Sequence, residues 1–282
     1  VAFLIISLGA KAQGPGGVTN NLEFWLKADG NVSTFFGFMV TWRDATSNGH
    51  DARAYSLAPP RYTSLHTNYN PSINFTTSGD GLSMSRSNNI NAQSRSRKSF
   101  TIAFTTGNSL TGRQVIYEQG NRNHGINLAI VNGSLASNLY ISRVDKSSST
   151  PVNSNTDYVY SFIYNGSSNR WDGYLNGVLV MSQTSVGSTL PAHAGNIGFG
   201  EVVDYTVYGG GGYTQNGDEF SGHIMEMAYY DDIVLTSTER NRIESYMALK
   251  YGVTLGTDYL GTSGNSPFWE LTTNTGYNNE IT

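Results

Sequence analysis

The chain has 282 residues, no cysteine and only 13% charged residues, and its 21 acidic against 17 basic side chains give a net charge of −4. The lack of cysteine excludes disulfides and thiol catalysis. Because phosphate backbones are neutralised by Lys and Arg, the lack of a basic surplus argues against nucleic acid as a partner. Glycine (32) and tyrosine (18) are abundant, so the composition favours strands and turns over helices.

The N-terminus has the pattern of an export signal. Residues 1–10 are mostly apolar, and residues 10–12 read Ala-Lys-Ala. This run is too short to cross a bilayer, which needs about 20 apolar residues, but it matches the hydrophobic region and cleavage site of a secretory signal. A buried strand is the alternative, although the Gly-Pro-Gly-Gly of residues 14–17 would break it. We predict that residues 1–12 are a signal-peptide remnant, that the mature chain starts at Gln13, and that the protein is secreted or on the cell surface.

Apolar and polar residues alternate along much of the chain after residue 20. Phe100, Ile102 and Phe104, for example, alternate with polar or small residues, which places one face of a strand on a core. The Asn176-Gly177 pair is typical of a two-residue type I′ turn and predicts a hairpin over residues 171–181. Regularly spaced strands and turns predict a sandwich. The predicted strands include residues 22–28, 114–118, 126–131, 139–143, 158–164, 196–199 and 223–230.

One helix is predicted, over residues 236–251. Residues 236–239 read Thr-Ser-Thr-Glu, a capping box. Ile243 and Met247 follow at helical spacing, and Gly252 is suited to end the helix with a positive φ. Residues 256–282 are rich in Gly, Asn and Thr and are predicted to be a linker and the start of a following segment. Residues 13–255 are thus the predicted domain.

Several short motifs occur in a fixed order along residues 20–280. They are residues 22–29 (Leu-Glu-Phe-Trp-Leu-Lys-Ala-Asp), 42–52 (Trp-Arg-Asp-Ala-Thr-Ser-Asn-Gly-His-Asp-Ala), 70–75, 80–82, 174–178 (Tyr-Leu-Asn-Gly-Val) and 220–230, which lead into residues 235–252. Together they resemble the concanavalin A-like, laminin-G-type jelly rolls of large secreted bacterial surface proteins. The chain departs from that pattern at residues 46–47, which are Thr-Ser where the family usually has Ser-Gly.

This resemblance implies an all-β, two-sheet antiparallel jelly-roll sandwich with one C-terminal helix. It also implies that the first and last strands, residues 22–28 and 223–230, pair with each other. It implies export and membership of a multidomain, adhesin-like polypeptide whose further domains are partners of this one. It carries over no ligand and no catalytic residue.

The acidic residues do not form the pair that a sandwich glycosidase needs, which is two carboxylates across one cleft. Glu201 and Asp204 are three residues apart and would fall on opposite faces of a strand. The adjacent pairs at 218–219 and 231–232 are split in the same way. Glu226 is alone in its strand and is predicted to lie at or near the surface, because an unpaired buried carboxylate is costly. The sequence therefore predicts no catalytic residue.

Calcium is the one cofactor that the residues suggest. Asp44, Asn48 and Asp51 are clustered in a predicted turn, and oxygen ligands in irregular backbone suit Ca²⁺. The alternative is that these side chains only stabilise the turn through Asx hydrogen bonds.

Exposed aromatic rings are the predicted ligand contacts, since they can stack on sugar faces. Tyr205, Tyr208 and Tyr213 surround the glycines of residues 209–212 in a predicted mobile loop, and Trp171 is a second candidate. For each of them the alternative is packing against the sandwich. The predicted function is a non-catalytic recognition or adhesion module for a cell-surface or extracellular carbohydrate. A structural spacer without a ligand, or a polysaccharide-active hydrolase or lyase, are the alternatives.

Overall fold

The computed structural model describes residues 14–54, 59–76, 81–208, 212–262 and 264–274, and for residues 208 and 212–217 it describes the backbone only. The predicted signal remnant, residues 1–12, and Gln13 lie outside the described residues. No helix in the described ranges is long and apolar enough to cross a membrane.

The described chain is mostly β-structure with one α-helix, α1 (Ser237–Tyr251). The strands are β1 (Leu22–Lys27), β2 (Val32–Phe35), β3 (Phe38–Trp42), β4 (Ala52–Ala54), β5 (Arg61–Thr67), β6 (Asn70–Phe75), β7 (Leu82–Met84), β8 (Arg97–Thr106), β9 (Arg113–Gly120), β10 (His124–Val131), β11 (Ser134–Ile141), β12 (Val144–Pro151), β13 (Asp157–Asn165), β14 (Arg170–Leu175), β15 (Val178–Thr184), β16 (Ile197–Phe199), β17 (Val202–Tyr208), β18 (Gly212–Gly217), β19 (Gly222–Asp231), β20 (Tyr259–Leu260) and β21 (Pro267–Trp269).

The predicted strands over residues 114–118, 126–131, 196–199 and 223–230 are confirmed to within two residues at each end by β9, β10, β16 and β19. The strand predicted over 139–143 ends at Ile141, because Ser142 and Arg143 form the turn into β12, with φ of 52° and 67°.

Antiparallel pairing arranges most strands in two arrays. The helix-side array has the order β1-β19-β8-β13-β14-β15. The hairpin-side array has the order β7-β16-β9-β10-β11-β12. Strands β3 to β6 join the two at one edge, since β4 pairs with β7 and β6 pairs with β19. The result is one large antiparallel sheet that nearly closes into a barrel.

The predicted pairing of the first and last strands is confirmed. β1 runs antiparallel to β19, with Leu22 opposite Tyr230 and Lys27 opposite Glu226. Phe24 of β1 stacks on Tyr229 of β19 with ring centroids 5.1 Å apart, on the face that points between the arrays.

Aromatic side chains fill the space between the arrays. Phe100 of the helix-side array lies 5.1 Å, centroid to centroid, from Tyr117 of the hairpin-side array. Trp171 belongs to the same core: its side chain is fully buried, and its indole Nε1 donates to the carbonyl oxygen of Lys146 at 2.8 Å. The prediction that Trp171 offers an exposed platform to a ligand is therefore wrong, because the ring is used in packing.

The predicted hairpin turn at Asn176-Gly177 is confirmed. Both residues have positive φ, 48° and 83°, between β14 and β15. Asn132-Gly133 makes the same kind of turn between β10 and β11, with φ of 47° and 86°. In both turns the left-handed position before the glycine is taken by asparagine, the residue that tolerates it best after glycine.

The predicted helix is also confirmed. The hydroxyl of Thr236 accepts from the Glu239 amide and the Glu239 carboxylate accepts from the Thr236 amide, which completes the capping box. Gly252 ends the helix with φ of 68°. Ile243 and Met247 are fully buried against the outer face of the helix-side array, where they join a second apolar cluster.

Packing continues past the predicted domain boundary at residue 255. Tyr259 is fully buried in the helix cluster, and the Leu260 amide donates to Ser245 Oγ of α1 at 2.9 Å. Asn241 Nδ2 of α1 donates to the Asp258 carbonyl oxygen at 2.8 Å. The segment up to the β20–β21 pair therefore packs on the helix and does not act as a free linker.

The prediction that Glu226 lies near the surface is wrong. Its side chain is fully buried between β19 and α1. The carboxylate accepts from Trp25 Nε1 at 2.5 Å, from Lys250 Nζ at 2.6 Å and from the Tyr251 hydroxyl at 2.7 Å. The cost of burial is offset because a cation and two neutral donors surround the charge.

We expect Ile243→Ala to lower the free energy of unfolding by about 2–5 kcal/mol, because it leaves a cavity between α1 and the sheet. Urea denaturation measures the loss. The matched control is Leu249→Ala on the same helix, whose side chain is 43% exposed and whose truncation should cost only about 0.5 kcal/mol. Equal effects for the two variants would contradict the packing described for α1.

We expect Lys250→Met to cost about 3–5 kcal/mol, because it removes the cation and leaves the Glu226 carboxylate buried. The double variant Lys250→Met/Glu226→Gln should recover part of that loss, since the fully buried charge is then removed and only Asp29, which is 34% exposed and lies 2.9 Å from Lys250 Nζ, keeps a carboxylate there. The same urea measurement tests both. A single variant as stable as the wild type would mean that the ion pair is not needed to accommodate Glu226.

Candidate functional site

A polar cleft of about 410 Å³ opens where β5, β6, β8 and β13 meet the first residues of β19. Residue 222 has to be glycine here, because a Cβ would lie 2.4 Å from the Thr105 carbonyl oxygen. Most of the side chains that line the cleft carry a hydroxyl, amide, imidazole or carboxylate group. These are His66, Thr67, Asn74, Thr76, Thr105, Thr106, Asn108, Asn155, Asp157, Ser221 and His223.

Strand register brings the central residues of the cleft together. His223 of β19 lies opposite Asn74 of β6 on one side and opposite Thr105 of β8 on the other. Thr105 in turn lies opposite Asp157 of β13. His66 comes from β5, which pairs with β6. Residues from β5, β6, β8 and β13 and from the start of β19 therefore line one site.

Two histidines form a stacked pair in this cleft. The rings of His66 and His223 are nearly parallel, at 11°, with centroids 3.7 Å apart. Burial, together with the neighbouring His66, lowers the pKa of His223 from 6.5 to about 4. Burial also lowers the pKa of His66, although the charge of Asp157 acts in the opposite direction. Both rings are therefore neutral at pH 7, which removes the repulsion that two imidazolium ions would have at this distance.

Asp157 is fixed in the cleft by two threonines. Its Oδ1 accepts from the Thr105 hydroxyl at 2.5 Å, and its Oδ2 accepts from the Thr67 hydroxyl. His66 Nε2 lies 2.8 Å from the same Thr105 oxygen. Because the one hydroxyl proton of Thr105 goes to Asp157, its oxygen accepts from His66 Nε2. The chain His66–Thr105–Asp157 thereby orients the imidazole and the carboxylate together.

The described lining residues of the cleft do not include the pair of carboxylates that a sandwich glycosidase uses. A glycosidase needs two carboxylates, and Asp157 is the one carboxylate among the described lining residues. The hydroxyl nearest to a histidine nitrogen, apart from Thr105, is that of Ser72, 2.8 Å from His223 Nδ1. Ser72 is fully buried, so its oxygen cannot reach a substrate. What the cleft offers is a set of fixed donors and acceptors.

The predicted calcium residues form a hydrogen-bonded turn. Asp44 Oδ1 accepts from the amides of Trp25 and Thr46, at 3.0 and 2.9 Å. Asp51 Oδ1 accepts from the Asp44 amide at 3.1 Å, and Asn48 Nδ2 donates to the Glu23 carbonyl oxygen at 2.8 Å. Since the oxygens point to N–H groups, the geometry favours the Asx-turn alternative. Within the described ranges no group of three His, Asp or Glu residues is placed to hold a metal ion.

The predicted mobile loop around the glycine run is a β-hairpin in its described part. β17 pairs with β18 from Val202–Gly217 to Tyr208–Gly212. The hairpin lies across the outer face of the hairpin-side array, where Asn127 Nδ2 donates to the carbonyl oxygen of Val207 at 2.7 Å. It is thus on the other array from the polar cleft.

The candidate tyrosines are only partly described. Tyr205 is half-buried, and the guanidinium carbon of Arg122 lies 4.3 Å from its ring centroid, so one face of the ring is covered. The side chains of Tyr208 and Tyr213 lie outside the described residues, and their part in ligand binding stays a prediction. Trp171 is buried in the core between the arrays, whereas Tyr205 lies on the hairpin at the outer face of the hairpin-side array.

The cleft was missed at the sequence level because its residues are far apart in the chain. His66 and Thr105 are separated by 39 positions, and Ser72 and His223 by 151. The one local signal is a histidine at the start of β19, a strand in which Glu226 and Asp231 are the only other charged or titratable groups besides tyrosine. Only the folded structure shows that His223 stacks on His66.

Stability should fall with acid in a way that depends on His223. Between pH 6.5, the ordinary histidine pKa, and the folded value of about 4, the unfolded chain binds a proton that the folded chain does not bind. Folding therefore weakens as the pH falls through this window. We expect His223→Gln to lose less stability than the wild type between pH 7 and pH 4 in urea titrations. Parallel losses in the two proteins would show that His223 does not contribute.

Comparison with known proteins gives little sequence similarity. A family model described as a domain of unknown function (DUF8202) matches residues 239–282, which include α1 and the segment after it. A comparison with curated proteins gave no match.

Solved structures are similar in fold. The receptor-binding domain of botulinum neurotoxin D has a TM-score of 0.62 and 18% identity, over 88% of this chain and 56% of that one. The botulinum neurotoxin serotype D ligand binding domain in complex with N-acetylneuraminic acid has a TM-score of 0.61 and 17% identity, over 88% and 54%. The serotype G binding domain has a TM-score of 0.56 and 12% identity, over 80% and 51%. The chain spans about half the length of these structures, and at such identities the likeness shows a shared β-rich fold.

Proposed function

We propose that this chain is a non-catalytic carbohydrate-recognition module of an exported surface protein, built on a concanavalin A-like jelly roll. The observation that carries the proposal is the polar cleft at the start of β19. There a fixed carboxylate, two neutral imidazoles and the exposed amides of Asn108 and Asn155 border one cavity.

The chemistry of the cleft matches that of a sugar. Each sugar hydroxyl both donates and accepts, so a site needs acceptors and donors close together. Asp157 supplies acceptor lone pairs, and each asparagine supplies an amide that can do both. The threonines keep the carboxylate from rotating, so a ligand would meet it already oriented.

The charge of the cleft favours a neutral sugar. Among the described residues that line it, none is lysine or arginine, and Asp157 is negative. An acidic sugar would bring a second negative charge without a cation to pair with it. The neurotoxin domain of similar fold was solved with N-acetylneuraminic acid, an acidic sugar. That likeness supports a sugar ligand in this fold, whereas the lining residues here favour an uncharged one.

The β17–β18 hairpin is proposed as a second contact surface for a longer glycan. Tyr205 is half-buried there, and Tyr208 and Tyr213 follow on the same hairpin. Further domains of the same polypeptide would place the module at a surface.

The test is a glycan-array screen of the chain, followed by calorimetry with the best neutral oligosaccharide. We expect Asp157→Ala to weaken binding by about 10- to 100-fold, since it removes hydrogen bonds to a charged acceptor. The control is Asp232→Ala, at the opposite end of β19, where a 46%-exposed carboxylate pairs with Arg97. Its affinity should equal that of the wild type, and both variants should keep the wild-type melting temperature within a few degrees.

Three other outcomes would count against parts of this proposal. No glycan binding at all would favour the spacer alternative. Binding that survives Asp157→Ala but is lost in Tyr205→Ala would move the site to the β17–β18 hairpin. A preference for acidic over neutral glycans would contradict the argument from charge.

A further inference from the structure

The hairpin of β2 and β3 ends in an exposed pair of phenylalanines. Phe35 and Phe36 are 67% and 85% exposed, and their ring centroids are 4.5 Å apart. The whole segment from residue 31 to residue 42 contains no charged side chain. Single apolar residues are common on protein surfaces, but a paired aromatic tip on an uncharged hairpin indicates a contact surface.

The backbone at this tip is unfavourable for the residue it carries. Phe36 and Gly37 have φ of 49° and 81°, almost the values of the Asn132-Gly133 and Asn176-Gly177 turns. In those two turns asparagine occupies the left-handed position, where a bulky aromatic residue is an outlier. Phenylalanine at position 36 therefore does not stabilise the turn. Strain of this kind points to a role outside the folded chain.

The shape and chemistry of the tip suit an apolar medium. The two rings meet at 71°, so they form no flat platform on which a sugar could lie. The tip is convex, and its rings carry no hydroxyl or ring nitrogen. Two phenylalanine side chains bury on the order of 400 Å², well below the roughly 1,200 Å² of a stable interface with a second copy.

A cation stands just behind the tip. Phe38 pairs with Arg61 of β5, whose exposed guanidinium lies 4.1 Å from the Phe38 ring centroid. Phe38 is the first residue of β3 after the Phe36-Gly37 turn and lies opposite Phe35, so Arg61 is beside the base of the apex. Apolar side chains at a membrane interface reach about 5–10 Å past the headgroup boundary. The tip thus combines exposed apolar rings with an adjacent exposed cation, the two features that favour binding to an anionic bilayer.

We infer that the β2–β3 tip docks the domain on a lipid bilayer, with Phe35 and Phe36 in the interface and Arg61 at anionic headgroups. This inference does not rest on the proposed sugar site, which lies in another part of the sheet. Two rings and one arginine make a weak, reversible contact with the bilayer. Such a contact would raise the overall affinity of the protein for a surface to which it is also bound at a second site.

The experiment is vesicle flotation with the chain and two kinds of vesicle, pure phosphatidylcholine and phosphatidylcholine mixed with phosphatidylserine. We expect binding to both and tighter binding to the anionic vesicles. Phe36→Asn should reduce binding about tenfold or more and at the same time raise the melting temperature, because asparagine relieves the left-handed strain. Arg61→Gln should remove the preference for phosphatidylserine and leave binding to neutral vesicles unchanged.

Tyr69→Asn is the matched control. Tyr69 is also in the left-handed region, with φ of 60°, and is 88% exposed, but it lies in the β5–β6 turn beside the end of α1. Its replacement should leave vesicle binding unchanged. The inference is overturned if the wild type does not float with anionic vesicles, or if Phe36→Asn floats as well as the wild type. Failure of flotation together with capture of a protein through the same two rings would assign the tip to a protein partner.

Discussion

The buried carboxylate of Glu226 is the constraint on which the relation between the helix and the sheet depends. It lies in β19, the strand that pairs with β1, β6 and β8. The carboxylate has to find its partners inside the protein, and it finds them in Trp25 of β1 and in Lys250 and Tyr251 at the end of α1. Because these partners come from the sheet and from the helix, the buried charge ties the end of α1 to the sheet. The same strand then begins the polar cleft at its other end.

Local features could be predicted from the sequence because each depends on a few adjacent residues. The capping box of α1, the Asn176-Gly177 turn and the alternating strands are of this kind, and the order of the motifs added the pairing of β1 with β19. Features made by distant residues could not be predicted. The Trp25–Glu226 hydrogen bond joins positions 201 apart, and Trp171 finds its acceptor on a different hairpin. Because these contacts cannot be seen in the sequence, Glu226 was predicted to lie near the surface and Trp171 was predicted to contact a ligand.

The cleft illustrates how this fold brings polar side chains together at strand ends. None of its polar residues is unusual by itself, and each would pass as an exposed position of an antiparallel strand. Register puts Thr105 beside Asp157 and His223 beside Thr105, so the threonine becomes the shared partner of an acid and an imidazole from β5. A scaffold of this kind hosts many functions with little sequence similarity. That is why the likeness to neurotoxin binding domains is clear in backbone geometry and faint in sequence.

The antiparallel pairing of β1 and β19 has a mechanical consequence. Leu22 lies opposite Tyr230, so the chain enters β1 and leaves β19 at the same end of the sheet. Tension between these two points would peel the pair open one hydrogen bond at a time, which resists force poorly compared with shearing all bonds together. A force applied from the C-terminal side, however, reaches β19 through α1. The ion pair of Glu226 with Lys250 connects β19 to α1. In a protein that carries load between its ends, the helix would act as a latch that has to release before the sheet can unzip.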